Sequence, residues 1–165
     1  MLGKKMQDLM NSQIQAEFYS AQLYLAMSAY SESENFKGFA NWLKVQYDEE
    51  TSHGMKFLQY IQERGGKVEL KGIDAPPAKF GSMLELFEEV LVHEKKVTGL
   101  INKLYETAIS EKDYASQIFL QWFISEQVEE EANATEIVAK LKMIGDKSPG
   151  GLFYLDKALG KRGAE

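Results

Sequence analysis

The chain has 165 residues, enough for one domain with a substantial core, and its 44% hydrophobic and 27% charged content is ordinary for a soluble globular protein. A net charge of −6, with no basic tail or arginine-rich face, argues against binding nucleic acid through its phosphates. No apolar run nears the roughly 18 residues of a membrane span, and no h-region follows Lys4 and Lys5, so neither a membrane partner nor a signal peptide is expected and a cytoplasmic address fits.

The first helix is predicted over about 5–32, where Met6, Met10, Gln13, Glu17, Ala21, Tyr24 and Ser28 fall on one line flanked by Ile14, Phe18 and Leu25. It breaks in the polar stretch Ser31–Asn35. The second helix runs from about Phe36 to Arg64 and stops at Gly65-Gly66. Its seam, in alternating steps of four and three, is Phe36, Ala40, Leu43, Tyr47, Glu50, Gly54, Phe57 and Ile61. Glu50 therefore occupies the seam outright, and His53 lies beside it one turn on. Residues 65–81, GGKVELKGIDAPPAKFG, carry no helical period. At about 3.3 Å per extended residue they span up to roughly 56 Å. That length permits, without requiring, a return along the whole bundle that starts the third helix parallel to the second.

The third helix opens on the capping-box pattern Ser82-x-x-Glu85 and places Phe87, Leu91, Glu94, Thr98, Ile101, Tyr105 and Ala108 in phase. A turn near Ser110–Asp113 leads into the fourth, with Phe123, Gln127, Glu130, Ala134, Ile137, Leu141 and Ile144 in phase before Gly145. Ser148-Pro149 is a helix start, and Leu152–Leu159 form a short fifth helix set at an angle to the fourth. The fold class expected is all-α: a four-helix bundle with a long crossover between helices two and three and a short fifth helix. One domain comprises the bundle, 1–147, and the helix and tail, 148–165.

Each of the four seams carries a carboxylate: Glu17, Glu50, Glu94 and Glu130. Two residues of an antiparallel hairpin are level when their mean position falls at the turn. Glu17 and His53 average 35, and Glu94 and Glu130 average 112, both inside turn regions. All four helices thus interrupt their apolar seam near mid-length. Adding 77 to Glu17, Glu49, Glu50 and His53 gives Glu94, Glu126, Gln127 and Glu130, the mark of a pseudo-two-fold site. A buried carboxylate is strongly disfavoured unless it is paired, protonated or bound to metal. A helix rotated to wet Glu50 would explain Glu50 alone, but independent wet-edge glutamates have no reason to share both level and offset. A buried metal site is favoured over a structural polar layer.

Four carboxylates and one imidazole, with no cysteine in the chain, suit iron, manganese or zinc better than copper(I). Two metals bridged by shared carboxylates balance that much negative charge. Tyr24, two turns from Glu17, and Trp122, one turn from Glu126, favour iron as redox surroundings, although each also reads as core filling. The seven methionines read as packing, and His93, about 100° around the helix from Glu94, reads as a surface or interface residue.

On these residues the chain resembles the non-haem ferritins of bacteria and archaea over essentially its whole length. The resemblance rests on Glu17, EETSH at 49–53, Glu94 in HEKK, EQVEEE at 126–131, the Pro-Pro of the crossover and the LFYLDKALG tail. It implies that Glu17, Glu50 and His53 hold one iron with Glu50 bridging, and that Glu94 and Glu130 hold the second with Gln127 beside it. Glu49, Glu126, Glu129 and Glu130 match an additional site, making two to three iron sites per subunit. Tyr24 and Trp122 match redox-active aromatics. Of the acidic run, Glu126 and Glu129 are expected to face inward or toward a cavity, and Glu131 to be solvated.

The activity implied is oxidation of Fe(II) to Fe(III) by dioxygen or hydrogen peroxide, with ferric mineral stored in a hollow shell of 24 subunits and the fifth helix near the four-fold axes. Rubrerythrin-like and bacterioferritin-like centres repeat Glu-x-x-His in the fourth helix, where this chain has Gln127-x-x-Glu130. Thr51 stands where bacterioferritin places a haem-binding methionine, so no haem is expected. Mini-ferritins carry a helix in the crossover, and Pro76-Pro77 does not read as one. The alternatives are a di-iron peroxidase or oxidase that stores nothing, and a metal-free structural or partner-binding bundle.

Overall fold

The computed structural model describes residues 1–145 and 148–163. Its helices are α1 (Lys4–Ser33), α2 (Lys37–Glu63), α3 (Met83–Ser110), α4 (Tyr114–Ile144) and α5 (Pro149–Leu159). The four long ones begin and end within one or two residues of the seam reading. α5 starts three residues before Leu152, because the fixed φ of Pro149 suits the first helical position. The domain boundary drawn after residue 147 falls at residues outside those described.

The two hairpin turns are copies of each other. α1 ends at Ser33 and α3 at Ser110, and α2 begins at Lys37 and α4 at Tyr114, each pair 77 apart. In each turn one non-glycine residue is left-handed, Asn35 at φ 65° and Lys112 at φ 56°, also 77 apart. The hydrogen bonds match too: Phe36 N–H donates to Ser31 O and Asp113 N–H to Ala108 O, both at 2.9 Å, the six-to-one bond that closes a helix C-terminus.

The crossover climbs α1. Asn11 donates to Lys67 O at 3.0 Å and accepts from Glu69 N–H at 2.8 Å. Lys71 Nζ then donates to Ser12 Oγ at 2.8 Å, and the Tyr30 hydroxyl donates to Gly81 O at 2.8 Å. The chain is thereby carried to the far end of α1, and α3 runs antiparallel to α1, as the pairs Ser20–His93 and Ser31–Met83 show. α3 is then parallel to α2, the arrangement that crossover length alone only permitted. The box of Ser82 with Glu85 caps α3, and Asp113 caps α4.

The core divides into two apolar blocks. One packs Tyr24, Phe39, Leu43 and Phe87 with Ala134 and Leu141; the other packs Met10, Phe57, Ile101 and Phe123. Between them lie buried Glu17, Glu50, His53, Glu94, Gln127 and Glu130. The seam of α2 is rotated slightly from the count: Gln46 is buried, whereas Phe36 and Tyr47 are half-buried. Leu25, read as a flanking core residue, is exposed on the single chain.

α5 folds back on its own bundle. The first turn of α2 has no cap from its own Phe36. Asp156 of α5 supplies one, accepting from Gly38 N–H at 2.8 Å and Phe39 N–H at 3.0 Å. A carboxylate there also meets the positive end of the α2 dipole. Glycine is required at position 38, since a Cβ would lie 1.6 Å from the Asp156 carbonyl oxygen. Leu155 is buried by this docking while Phe153 and Tyr154 stay exposed. Among the described residues no helix is long and apolar enough to cross a membrane.

Candidate metal centre

The α1–α2 half of the polar layer gathers most tightly. One donor atom each from Glu17, Glu50 and His53 lies within 4.8 Å of the others. Metal–ligand bonds of about 2.0–2.2 Å place ligand atoms up to roughly 4.4 Å apart, so a small inward movement closes this triad on one ion. Gln13 Nε2 donates to Glu17 Oε1 at 2.9 Å. Glu17 Oε2 has no hydrogen-bond partner, the buried side-chain atom in that condition among the described residues. Gln46 Nε2 donates to Glu50 Oε1 at 3.3 Å, and His53 Nδ1 lies 3.5 Å from Glu50 Oε2. His53 Nε2 points toward Glu126 Oε1 at 3.8 Å, so Nδ1 is the nitrogen aimed into the layer.

In the α3–α4 half Glu94 is already hydrogen-bonded. Glu94 Oε1 accepts from the Tyr24 hydroxyl, and Glu94 Oε2 accepts from Gln127 Nε2 at 3.1 Å. The same amide nitrogen reaches Glu94 O and Thr98 Oγ1, both at 3.3 Å. Gln127 thus donates to Glu94 and keeps its carbonyl oxygen for another partner. Glu131, expected to be solvated, is half-buried and accepts from Thr98 Oγ1 at 2.6 Å.

Burial and mutual repulsion drive these carboxyls toward their neutral forms. Burial raises Glu17 well above the ordinary carboxyl range, and the charge of Glu50 adds to it. Glu50 is raised by burial and then by Glu94 and Glu130. Burial raises Glu94 against the opposing hydrogen bonds of Tyr24 and Gln127. Burial, followed by Glu94, pushes Glu130 up to about 7. Tyr24 is raised by burial and by Glu94. A layer of this kind holds protons until a cation replaces them. The orphaned oxygen of Glu17 and the hard oxygen donors with one imidazole fit a divalent metal ion such as iron.

The remaining sequence candidates are spread around this centre. Glu49 is half-buried and bonded by Arg162; Glu126 is half-buried beside His53; Glu129, expected to face inward or toward a cavity, is exposed on the single chain. Trp122 is not core filling, being 40% exposed with Lys56 Nζ 3.1 Å above its ring and His53 edge-on at 5.3 Å. His93, read as a surface or interface residue, is half-buried between α1 and α3. Its Nε2 lies 2.7 Å from Ser20 Oγ, and burial, with Lys96, lowers its pKa to about 4.

Sequence reasoning did not assign Gln13 and Gln46 as the donors to Glu17 and Glu50, nor Arg162 as the partner of Glu49. The glutamines share a signal: each stands four residues before its glutamate, the spacing at which helical side chains meet. Arg162 has none, because only the docking of α5 brings it near.

The family model of the ferritin-like domain matches residues 7–144. The chain belongs to the ferritin family. The bacterial non-heme ferritin of Bacteroides fragilis is 46% identical over 162 residues, 98% of this chain and 100% of that one. That of Staphylococcus aureus is 41% identical over 162 residues, 98% of this chain and 97% of its own. Among solved structures, an open pore ferritin from the hyperthermophilic archaeon Archaeoglobus fulgidus has a TM-score of 0.96 at 48% identity, covering 98% of this chain and 99% of that one. The bundle, its crossover and its short last helix are a ferritin fold, and among the described residues Glu17, Glu50 and His53 form a group that could hold a metal ion.

Proposed function

We propose that this ferritin oxidises Fe(II) in the polar layer and stores the product as ferric mineral inside a hollow cytoplasmic shell of 24 copies, with α5 and its tail part of the same domain and shell wall. The observation that carries the reading is Glu17 Oε2, a buried carboxylate oxygen with no donor, beside Glu50 and His53. Glu17, Glu50 and His53 take the first Fe(II), with Glu50 reaching toward the second. Glu94 and Glu130 take the second, with the carbonyl of Gln127 beside it. Glu49, Glu126 and Glu129, with Glu130, serve a third position. Tyr24 orients Glu94 through its hydroxyl and stands close enough to give an electron. Haem has no part in this reading: the Thr51 hydroxyl donates back to Tyr47 O at 2.8 Å and offers no axial sulfur.

Two Fe(II) ions each lose one electron. A dioxygen accepting two electrons and two protons leaves as hydrogen peroxide, and a peroxide accepting two more of each leaves as two waters. Clustered carboxylates in a poorly solvated layer stabilise Fe(III) more than Fe(II), which lowers the potential and drives the transfer. Burial favours the protonated forms of Glu17, Glu50 and Glu130, so binding of Fe(II) releases protons.

The test is size-exclusion chromatography before and after aerobic Fe(II) loading, with iron counted per particle. A large particle that retains many more ferric ions than its sites supports storage. A small oligomer that turns Fe(II) over and keeps none would be a di-iron peroxidase or oxidase instead. Failure to bind any divalent metal would leave a structural bundle.

A further inference from the structure

Arg162 lies in the turn after α5, yet its guanidinium reaches the edge of the polar layer. Nη2 donates to Glu49 Oε2, and Nη1 donates to Gln46 Oε1 at 2.8 Å and to Trp42 O at 3.4 Å. The guanidinium stacks over the Trp42 ring at 4.3 Å. The tail holding it is itself fastened: Asn41 Nδ2 donates to Arg162 O at 3.0 Å, and Asp156 caps α2. The Arg162 side chain is 22% exposed and that of Glu49 39%, so the pair sits at the rim, partly screened from water.

A guanidinium has donors and no acceptor. Gln46 must therefore present its carbonyl to Arg162 and its NH2 to Glu50, 3.3 Å away. Arg162 thus holds two carboxylates, Glu49 directly and Glu50 through Gln46. A divalent ion on Glu49 would have to share that carboxylate with a fixed positive charge, and like charges at such range repel.

We infer that Arg162 is a tethered counter-ion of the third iron position, and that a metal ion binds Glu49 by displacing its guanidinium. The inference rests on the proposed reading of Glu49 as a ligand of that position. It makes the third position weaker than the two inner ones, so the inner pair fills first. It also couples the position to the inner pair: once Arg162 leaves, the amide of Gln46 is no longer oriented, and Glu50 loses a fixed donor. Because the coupling is reciprocal, the occupied inner sites act back on how firmly Arg162 is held.

The test uses Zn(II), which cannot be oxidised, titrated calorimetrically into the assembled metal-free protein at low ionic strength. Arg162→Met keeps the side chain's bulk and removes its charge. It should tighten the third binding event about fivefold, the scale set by one partly exposed ion pair, and move the two tighter events less. In a Trp122→Phe background Trp42 is the one remaining tryptophan. Its emission should change with the third event when Arg162 is present and stay constant in Arg162→Met. Arg162→Lys keeps the charge and should bind like the parent; a Lys variant as tight as the Met variant overturns the inference. So does a third event of unchanged affinity in Arg162→Met, or one that Trp42 does not report. If neither parent nor Arg162→Met shows a third event, and Glu49→Gln changes nothing, the third position itself is absent and the inference falls with it.

Discussion

Glu17 and Glu94 occupy equivalent places 77 residues apart, and each is 1% exposed. Their surroundings differ in sign. Glu94 accepts from Tyr24 and Gln127, whereas Glu17 accepts from Gln13 alone and keeps one oxygen with no donor. The decisive pair of positions is 50 and 127. Facing Glu17 is the carboxylate of Glu50, and facing Glu94 is the amide of Gln127. Replacing a carboxylate oxygen by an amide nitrogen turns a repulsive contact into a hydrogen bond. The α1–α2 half therefore needs a proton or a cation between Glu17 and Glu50, whereas in the α3–α4 half Glu94 is already hydrogen-bonded and the demand falls on Glu130. On the proposed reading an incoming metal ion gains most by binding the α1–α2 half first.

Removing a ligand from the demanding half gives the largest expected effect. Glu50→Ala should slow the initial phase of Fe(II) oxidation, followed by stopped-flow absorbance, by more than the roughly 10–100-fold typical of losing a group that only supports a ligand. Wild-type rates in a folded Glu50→Ala protein would end the assignment. Glu17→Gln should slow oxidation as well, yet raise the stability of the metal-free protein by about 1–3 kcal/mol, because the orphaned oxygen gives way to a donor.

Acidity tests both halves next. The folded chain holds Glu130 protonated up to about 7, whereas the unfolded chain releases that proton near the ordinary 4.5. Between those values the folded state binds more protons, so its stability falls as pH rises. The contribution is fully present below the unfolded value and gone above about 7; for Glu130 alone it amounts to about 3 kcal/mol. Glu17 and Glu50 are raised in the same direction by burial and so add to the same loss. Calorimetric melting of the metal-free protein between pH 5 and 8 should show this decline, and Zn(II) saturation should remove it. A flat metal-free profile would mean that the layer is not holding protons.

Gln127→Glu would make the second half resemble the first. The metal-free protein should lose about 1–3 kcal/mol at pH 8, where the new carboxylate opposes Glu94. It should recover most of that at pH 5 and bind a second Zn(II) more tightly. No loss at pH 8 would show that the amide of Gln127 is not what distinguishes the halves.

The smallest effect concerns the turns. Asn35 and Lys112 share the left-handed conformation, which asparagine tolerates and lysine does not favour. Lys112→Gly should stabilise the protein by about 0.5–1 kcal/mol, read from denaturant unfolding, while Asn35→Gly should change little.

Much of this was legible in the chain. The helices follow from seams in steps of four and three, the turns from Ser31–Asn35 and Ser110–Asp113, and the level of the site from averages within each hairpin. These are periodic or local signals. The rotation that buries Gln46 and half-exposes Tyr47 was not legible, because counted steps average 3.5 residues and a helix turns every 3.6. Nor was the placement of His93, whose position around α3 says nothing of α1 until the crossover fixes the α1–α3 pairing. Arg162 and Asp156 escaped for a related reason: they act across more than 100 residues, and Gly38 is what lets α5 come close enough.

The shared register of the two turns also bears on how the two halves come to differ. Ser33 and Ser110, Asn35 and Lys112, and Lys37 and Tyr114 correspond without a single inserted or deleted residue between the hairpins. Two copies of the first hairpin, joined by the existing crossover, would face each other with Glu17, Glu50 and His53 repeated: four carboxylates and two imidazoles, with Glu-x-x-His in both the second and fourth helices. Glu17 and Glu94 already agree, as do Glu49 and Glu126. The present centre departs from two-fold symmetry at two of these positions, Gln127 for a glutamate and Glu130 for a histidine, and neither difference moves the backbone register. The two halves thus carry different chemistry on one backbone frame, so side-chain changes at 127 and 130 alone retune the centre without moving a helix.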